Sequence, residues 1–334
     1  MAAYTTIDNP ELYFQAKTYT GNGSADHAIT FDGTYNMQPD IVWIKNRGQA
    51  DNHMIHDSAR GVGEEWSINV PYPTLAISSD NDLTSFDSNG FTISATTDAV
   101  NKSSETYTSW NWKESADAGI DIVTFTGNQT ARTISHSLSA IPEWMIIKNR
   151  EHNDGAHVYH VSNGAANTME IASTGGSGGG STIWNSTAPT SSVFSVGTNG
   201  NINKTGSGIF IYLFAPKQGF SKFGKYTGNG NADGPFIYLG FRPAFLLIKK
   251  TSADGNDWQL TDNKRDPFNV CINRSLPNVN LADQTDSLDL DILSNGFKIR
   301  KSSTTNNADG ATFIFMAFAE SPFVNSKGVP TNAR

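Results

Sequence analysis

The sequence predicts an all-β fold arranged as three tandem β-sandwich repeats, jelly-roll-like and each about 100 residues long. Three observations predict it: landmarks that recur in one order, short apolar runs of period two, and Asn-Gly pairs placed between them. Tyr19-Thr-Gly-Asn-Gly23 returns as Phe125-Thr-Gly-Asn128 and as Tyr226-Thr-Gly-Asn-Gly230. Pro39-Asp-Ile-Val-Trp-Ile-Lys-Asn-Arg47 returns as Pro142-Glu-Trp-Met-Ile-Ile-Lys-Asn-Arg150 and, more loosely, as Pro243-Ala-Phe-Leu-Leu-Ile-Lys249, at offsets of 103 and 101 residues. A late Asn-Gly turn follows in each unit, and each closes on an aromatic run: Tyr107 to Trp112, Phe210 to Phe214, Phe313 to Phe318. These landmarks divide the chain into an N-terminal arm (1–16), repeats at 17–118, 119–221 and 222–320, and a C-terminal tail (321–334).

Within a unit, runs such as Ile209-Phe-Ile-Tyr-Leu-Phe214 are β-branched and aromatic and too short for helices, so they read as buried strands. Asn-Gly pairs at 22–23, 89–90, 199–200, 229–230 and 295–296 supply the positive φ angles of tight hairpin turns. No segment sustains an i, i+3, i+4, i+7 apolar pattern with caps, so helix is a minor component. The units are therefore expected as β-structured beads in series. They differ most in a variable excursion after the Lys-Asn-Arg strand, at 62–73, 174–181 and 275–283. Loops vary while a scaffold holds its shape, so either recognition lives in these excursions or they only guard against edge-to-edge pairing.

Composition bounds the function. At 17% charged and 37% hydrophobic the chain is ordinary soluble material, and its formal charge of −8 carries no basic block of the kind nucleic-acid binding needs. No stretch approaches the ~18 uninterrupted apolar residues of a membrane span, and the first fifteen residues lack the basic and apolar regions of a secretory leader. A single cysteine, Cys271, leaves no internal disulfide and no multi-cysteine metal site.

Few residues suggest chemistry. His53-Met-Ile-His56 and His157-Val-Tyr-His160 stand 104 residues apart and read as structural equivalents. A zinc pair at that spacing needs a helix, whereas in a strand residues i and i+3 point to opposite faces. Carboxylates gather at Asp80, Asp82 and Asp87 and at Asp283, Asp286, Asp289 and Asp291, but neither set fits the calcium-loop pattern, since Ser85 stands where the glycine belongs. Cys271 lies in an apolar strand-like setting that favours an inert thiol. Asp57 with Arg60 and Asp262 with Arg265 share a spacing and read as intra-turn ion pairs. No catalytic residue, metal or cofactor is expected. Trp66, Tyr72 and Trp184 on the excursions are the candidate contacts to a partner or glycan, since loop aromatics stack on sugars and anchor interfaces; the competing reading folds them back over the core. In the arm, Tyr4, Leu12, Tyr13 and Phe14 offer apolar surface and are the candidate assembly contacts of a homo-oligomer, expected as a trimer.

Two stretches carry a resemblance. Gly219-Phe-Ser-Lys-Phe-Gly-Lys-Tyr-Thr-Gly-Asn-Gly230 onward to Pro243, and Leu293-Ser-Asn-Gly-Phe-Lys-Ile-Arg300 onward through the C-terminus, are similar to a tandem β-repeat of tailed phages, notably those of marine and other aquatic bacteria. The resemblance covers the third unit almost completely and the Pro39–Arg47 strand of the first; the second unit departs, losing a glycine and gaining a Gly/Ser loop. It implies a virion structural protein, a tail-fibre or host-attachment component, assembled in the bacterial host cytoplasm, with other virion proteins and a host surface glycan or protein as partners and no catalytic residues. Two alternatives stand beside it, a capsid-decoration or head-fibre protein and a glycan-degrading spike.

Overall fold

Each aromatic run is the strand around which a sheet is built in the computed structural model, which describes residues 3–76, 82–94, 97–286 and 288–331. Three closing strands, Thr106–Trp112, Gly208–Phe214 and Thr312–Pro322, pair antiparallel on one side with opening strands Phe14–Thr20, Ile120–Thr126 and Ser221–Thr227. On the other side they pair with lysine-bearing strands Ile41–Asn46, Trp144–Asn149 and Phe241–Lys250. Seam strands Met54–Asp57, His157–His160 and Gln259–Asp262 come next in each sheet. The order is the same in three successive stretches of chain, and each stretch adds a smaller sheet, such as His27–Thr30 with Gly90–Ile93 and Leu83–Asp87. The protein is all-β and sandwich-like; its α-helices, among the described residues, are the single turns Asp98–Asn101, Ser181–Trp184 and Gly200–Asn203.

The closing strands are buried on both faces, which is why they read as continuous apolar runs. Ile209, Ile211 and Leu213 pack with Phe194 and Val196 of the neighbouring small sheet. Phe210, Tyr212 and Phe214 turn the other way, into a cluster that draws on all three stretches. Tyr107 likewise joins Ile29, Leu83 and Phe91, while Trp110 and Trp112 face the shared cluster. At its centre Trp112, Phe214 and Phe318, equivalent residues of the three closing strands, meet with ring centroids 6.5, 5.7 and 5.8 Å apart.

The stretches also join head to tail through equivalent backbone bonds. Thr74 N–H donates to the Arg150 carbonyl at 2.9 Å, Ser177 N–H to Thr251 at 3.1 Å and Asp283 N–H to Arg47 at 2.9 Å. Each acceptor sits just past a lysine-bearing strand, and the third bond returns to the first stretch, so the contacts close a cycle. Beads in series is therefore replaced by three stretches around one core. The excursions, or the residue next to one, supply the donors, so these segments form seams as well as surface.

Register corrects two readings. Asp57, His160 and Asp262 lie opposite Ile41, Trp144 and Phe245, so His160 corresponds to Asp57 and not to His56. The two His pairs are slipped by one residue, which turns them to opposite faces. Of the Asn-Gly pairs, Gly90 does turn a hairpin at φ +126°, where a Cβ would stand 2.0 Å from the Ile29 carbonyl. Asn199-Gly200 instead opens a one-turn helix, because the Asn199 side chain accepts from Asn201 N–H at 2.8 Å as a helix cap. The opening strand takes in Phe14, Gln15 and Ala16 from the expected arm, and Thr312–Pro322 runs into the expected tail.

Candidate functional site

The strand Glu64–Ser67 divides its side chains by its two-residue period. Glu64 and Trp66 face the second stretch: Glu64 accepts from Arg150 at 2.6 Å, and Trp66 packs edge-on against Phe210 at 5.5 Å. Glu65 and Ser67 line a cavity of about 450 Å³ on the other side. Ala50, Met54, Val70, Pro73 and Ala99 supply apolar wall, Asp51, Asn52, Asp82, Asp98 and Asn280 supply polar groups, and Tyr72 stands at the rim, 62% exposed. Glu65 and Asp82 are 8% and 0% exposed and hydrogen-bonded to each other. Thr97 Oγ1 donates to Asp82 Oδ1 at 2.8 Å.

Burial, and then the Asp82 carboxylate, push the Glu65 carboxyl up to about 8, so the pair shares a proton at neutral pH. The fold thus holds a proton that the unfolded chain releases, and the associated stability, fully present below 4.5, is lost as pH rises through about 8. Glu65→Gln keeps a neutral hydrogen-bonding side chain and is expected to flatten this dependence. Melting temperatures at pH 5 and pH 9 check it: the variant should match the parent at pH 5 and exceed it at pH 9, and parallel profiles would contradict the assignment.

The three candidate contact aromatics separate. Trp66, 1% exposed, and Trp184, fully buried against Tyr159 at 5.8 Å, are interior residues, which corrects their reading as exposed loop anchors. Both lie on short regular elements, a four-residue strand and a one-turn helix, that a loop-like composition conceals. Tyr72 alone is free to touch a partner. Trp66→Ala is expected to lower stability by about 3–5 kcal/mol, and Tyr72→Ala to change it by less than about 0.5 kcal/mol; urea unfolding of both variants measures the contrast.

The arm is also covered by its own chain. Phe14 is 2% exposed and stacks on Phe318 at 5.5 Å, Tyr13 meets Phe220 at 6.0 Å, and the Tyr4 hydroxyl donates to the Gly240 carbonyl at 2.8 Å. Of these four candidate contacts Leu12 alone is exposed. The apolar surface offered as the reason for trimer assembly therefore finds cover within the chain itself, at Phe220, Gly240 and Phe318.

Asp57–Arg60 and Asp262–Arg265 form across turns, at 2.5 and 2.6 Å, and are fully buried at seams. Tyr212 O–H donates to Asp57 at 2.6 Å, and Trp110 Nε1–H donates to Asp262 at 3.1 Å, each reaching from the adjoining stretch. Asp283 meets Arg47 and Arg265, Asp286 meets Arg274, Asp289 meets Lys301 and Asp291 meets Arg300, so this set is ion-paired. Asp87 accepts from Ser85 and Thr92; Asp80 lies outside the described residues. The four histidines of the His pairs are buried and their imidazoles held below the usual range by desolvation, His56 and His160 to about 3 and His157 to about 4. Burial pushes the Cys271 thiol up to about 12, away from thiolate reactivity. Among the described residues no three His, Cys, Asp or Glu side chains are placed to hold a metal ion.

Two features escape the sequence. Lys45, Lys148 and Lys249, equivalent residues of the lysine-bearing strands, are buried, and each Nζ donates to two backbone carbonyls, as Lys45 does to Asn46 and Gln49 at 2.6 and 3.0 Å. Their repetition inside the Ile-Lys motif is the signal that could have marked them. The Glu65–Asp82 pair had none, since 17 residues separate its members.

Fold and cavity together define an all-β, sandwich-like protein with one exposed aromatic over a proton-sharing carboxyl pair. The sequence profile of DUF7483, described as a domain of unknown function, matches residues 9–322, and the chain belongs to this family. One match spans all three stretches. No curated protein matches the chain.

Proposed function

We propose that the protein is a structural component of a tailed-phage particle, a tail-fibre or host-attachment element made of three jelly-roll-like sandwich repeats. The observation that carries this reading is the cycle of seam bonds, Thr74 to Arg150, Ser177 to Thr251 and Asp283 to Arg47, around one aromatic core. A chain closed in this way is a rigid block, suited to bearing load and to presenting a surface. The resemblance carried by residues 219–243 and 293–334 supports the same reading. Tyr72 and the cavity behind it are the contact to a host surface or to another virion protein. The hydrogen-bonded Glu65 and Asp82 favour binding over glycan hydrolysis, which uses carboxyl groups held about 5–9.5 Å apart. Quantitative mass spectrometry of purified particles of a phage encoding the chain tests the proposal. A fixed copy number per particle is expected; a chain found in the host lysate and absent from particles would overturn it.

A further inference from the structure

We infer that the outer face of the third small sheet is a saccharide-binding platform, on which the Phe236 and Tyr238 rings stack against sugar rings. This goes beyond the attachment reading, which places its contact at Tyr72. Phe236–Tyr238 is the edge strand of the sheet it forms with Gly296–Ile299 and Leu290–Leu293. Its middle residue, Ile237, is buried in the core opposite Phe297, so Phe236 and Tyr238 point outward, 46% and 49% exposed. The chain supplies its own comparison. In the other two small sheets Ile29 and Ile134 lie opposite Phe91 and Phe194 in the same way, and their outward neighbours are Ala28 with Thr30 and Thr133 with Ser135, all exposed. The scaffold therefore does not need rings at these two places. Large apolar side chains held out in water, where the same arrangement twice uses small residues, mark a contact.

The size and the frame of the pair select the occupant. Two half-exposed rings amount to roughly 200 Å², against about 800 Å² buried by each side of a stable protein interface, which is too little to hold a second copy or a partner protein. Strand geometry spaces the two side chains about 7 Å apart, within reach of neighbouring sugars of one saccharide. The apolar C–H face of a pyranose covers such a ring, while its hydroxyls need hydrogen-bonding groups at the edge. Those groups are in place. Lys298, the cross-strand neighbour of Phe236, pairs at 2.7 Å with the exposed Asp233. Lys222 Nζ stands 5.6 Å from the Tyr238 ring centroid and gives one of its three donors to the Tyr238 carbonyl at 2.8 Å. A groove of about 390 Å³ continues the platform, lined by Tyr238, Lys222, Gln218 and Tyr4, whose hydroxyl lies 3.3 Å from that of Tyr238.

Titration of the full chain with cellohexaose, laminarihexaose, maltohexaose, isomaltohexaose and N-acetylchitohexaose, followed by isothermal calorimetry and amide chemical shifts, tests the inference. At least one is expected to bind with a Kd of about 1 mM or tighter, with shifts centred on residues 236–238 and 296–298. The double variant Phe236→Ala with Tyr238→Thr carries what the first stretch has at these places. It should bind about tenfold more weakly or worse and melt within about 2 °C of the parent. Tyr72→Ala should bind as the parent does. Equal binding by the double variant, shifts centred elsewhere, or silence toward every saccharide would overturn the inference. A double variant melting more than about 5 °C lower would overturn it too, by assigning the rings to the fold. Sedimentation in which the parent self-associates and the double variant does not would overturn it in favour of a second copy. Failure of the attachment reading is distinct: a particle-borne chain silent toward the saccharides sinks this inference alone, and a saccharide-binding chain absent from particles sinks attachment alone.

Discussion

Phe318→Ala is expected to destabilise the whole chain by about 3–5 kcal/mol, a large share of the 5–15 kcal/mol that holds a typical fold. Its ring lies 5.5 Å from Phe14, 5.7 Å from Trp112, 5.8 Å from Phe214, 6.0 Å from Phe223 and 6.1 Å from Phe245. These partners come from all three stretches, so the cavity left by truncation opens in every one of them. Hydrogen exchange should report the loss as faster opening of amides in Thr106–Trp112 and Gly208–Phe214 as well as in Thr312–Pro322. Faster exchange confined to the third stretch would mean that its core is private.

Asp57→Ala should cost a comparable amount, about 3–5 kcal/mol, because it leaves a buried guanidinium without its counter-charge. Arg60 is fully buried; its remaining polar partners are the Ile55 carbonyl and the Tyr212 hydroxyl, both at 3.3 Å. Tyr212 loses its acceptor in the same step, which weakens the seam to the second stretch from both sides. The double variant Asp57→Ala with Arg60→Met removes the stranded charge and should recover a good part of the loss. Denaturant titration of the parent, the single and the double variant measures this; a double variant no more stable than the single one would show that charge burial is not the cause.

The sequence was most legible where a residue's role repeats. Strand type, the three aromatic runs and the Asp-Arg spacing were readable because each is local or recurs about every 100 residues. The closure was not readable, since period-two alternation assigns residues to two faces without saying what covers them. Phe210, Tyr212 and Phe214 read as apolar whether they face a private core or a shared one. Trp66 was misplaced for a related reason, being the inward residue of a strand only four residues long. The Glu65–Asp82 contact depends on tertiary placement alone. The slip between the His pairs is a difference of a single residue in register, below what a motif offset of 103 or 104 can resolve.

Three similar stretches form one body around a common aromatic core and a closed set of seams. Differential scanning calorimetry of the full chain tests it most directly, through the ratio of calorimetric to van't Hoff enthalpy. One transition with a ratio near 1 is expected, shifted as a whole by Phe318→Ala. Resolved transitions, or a ratio approaching 3 with two of the three components unmoved by that substitution, would contradict it and return the protein to three independent units in series.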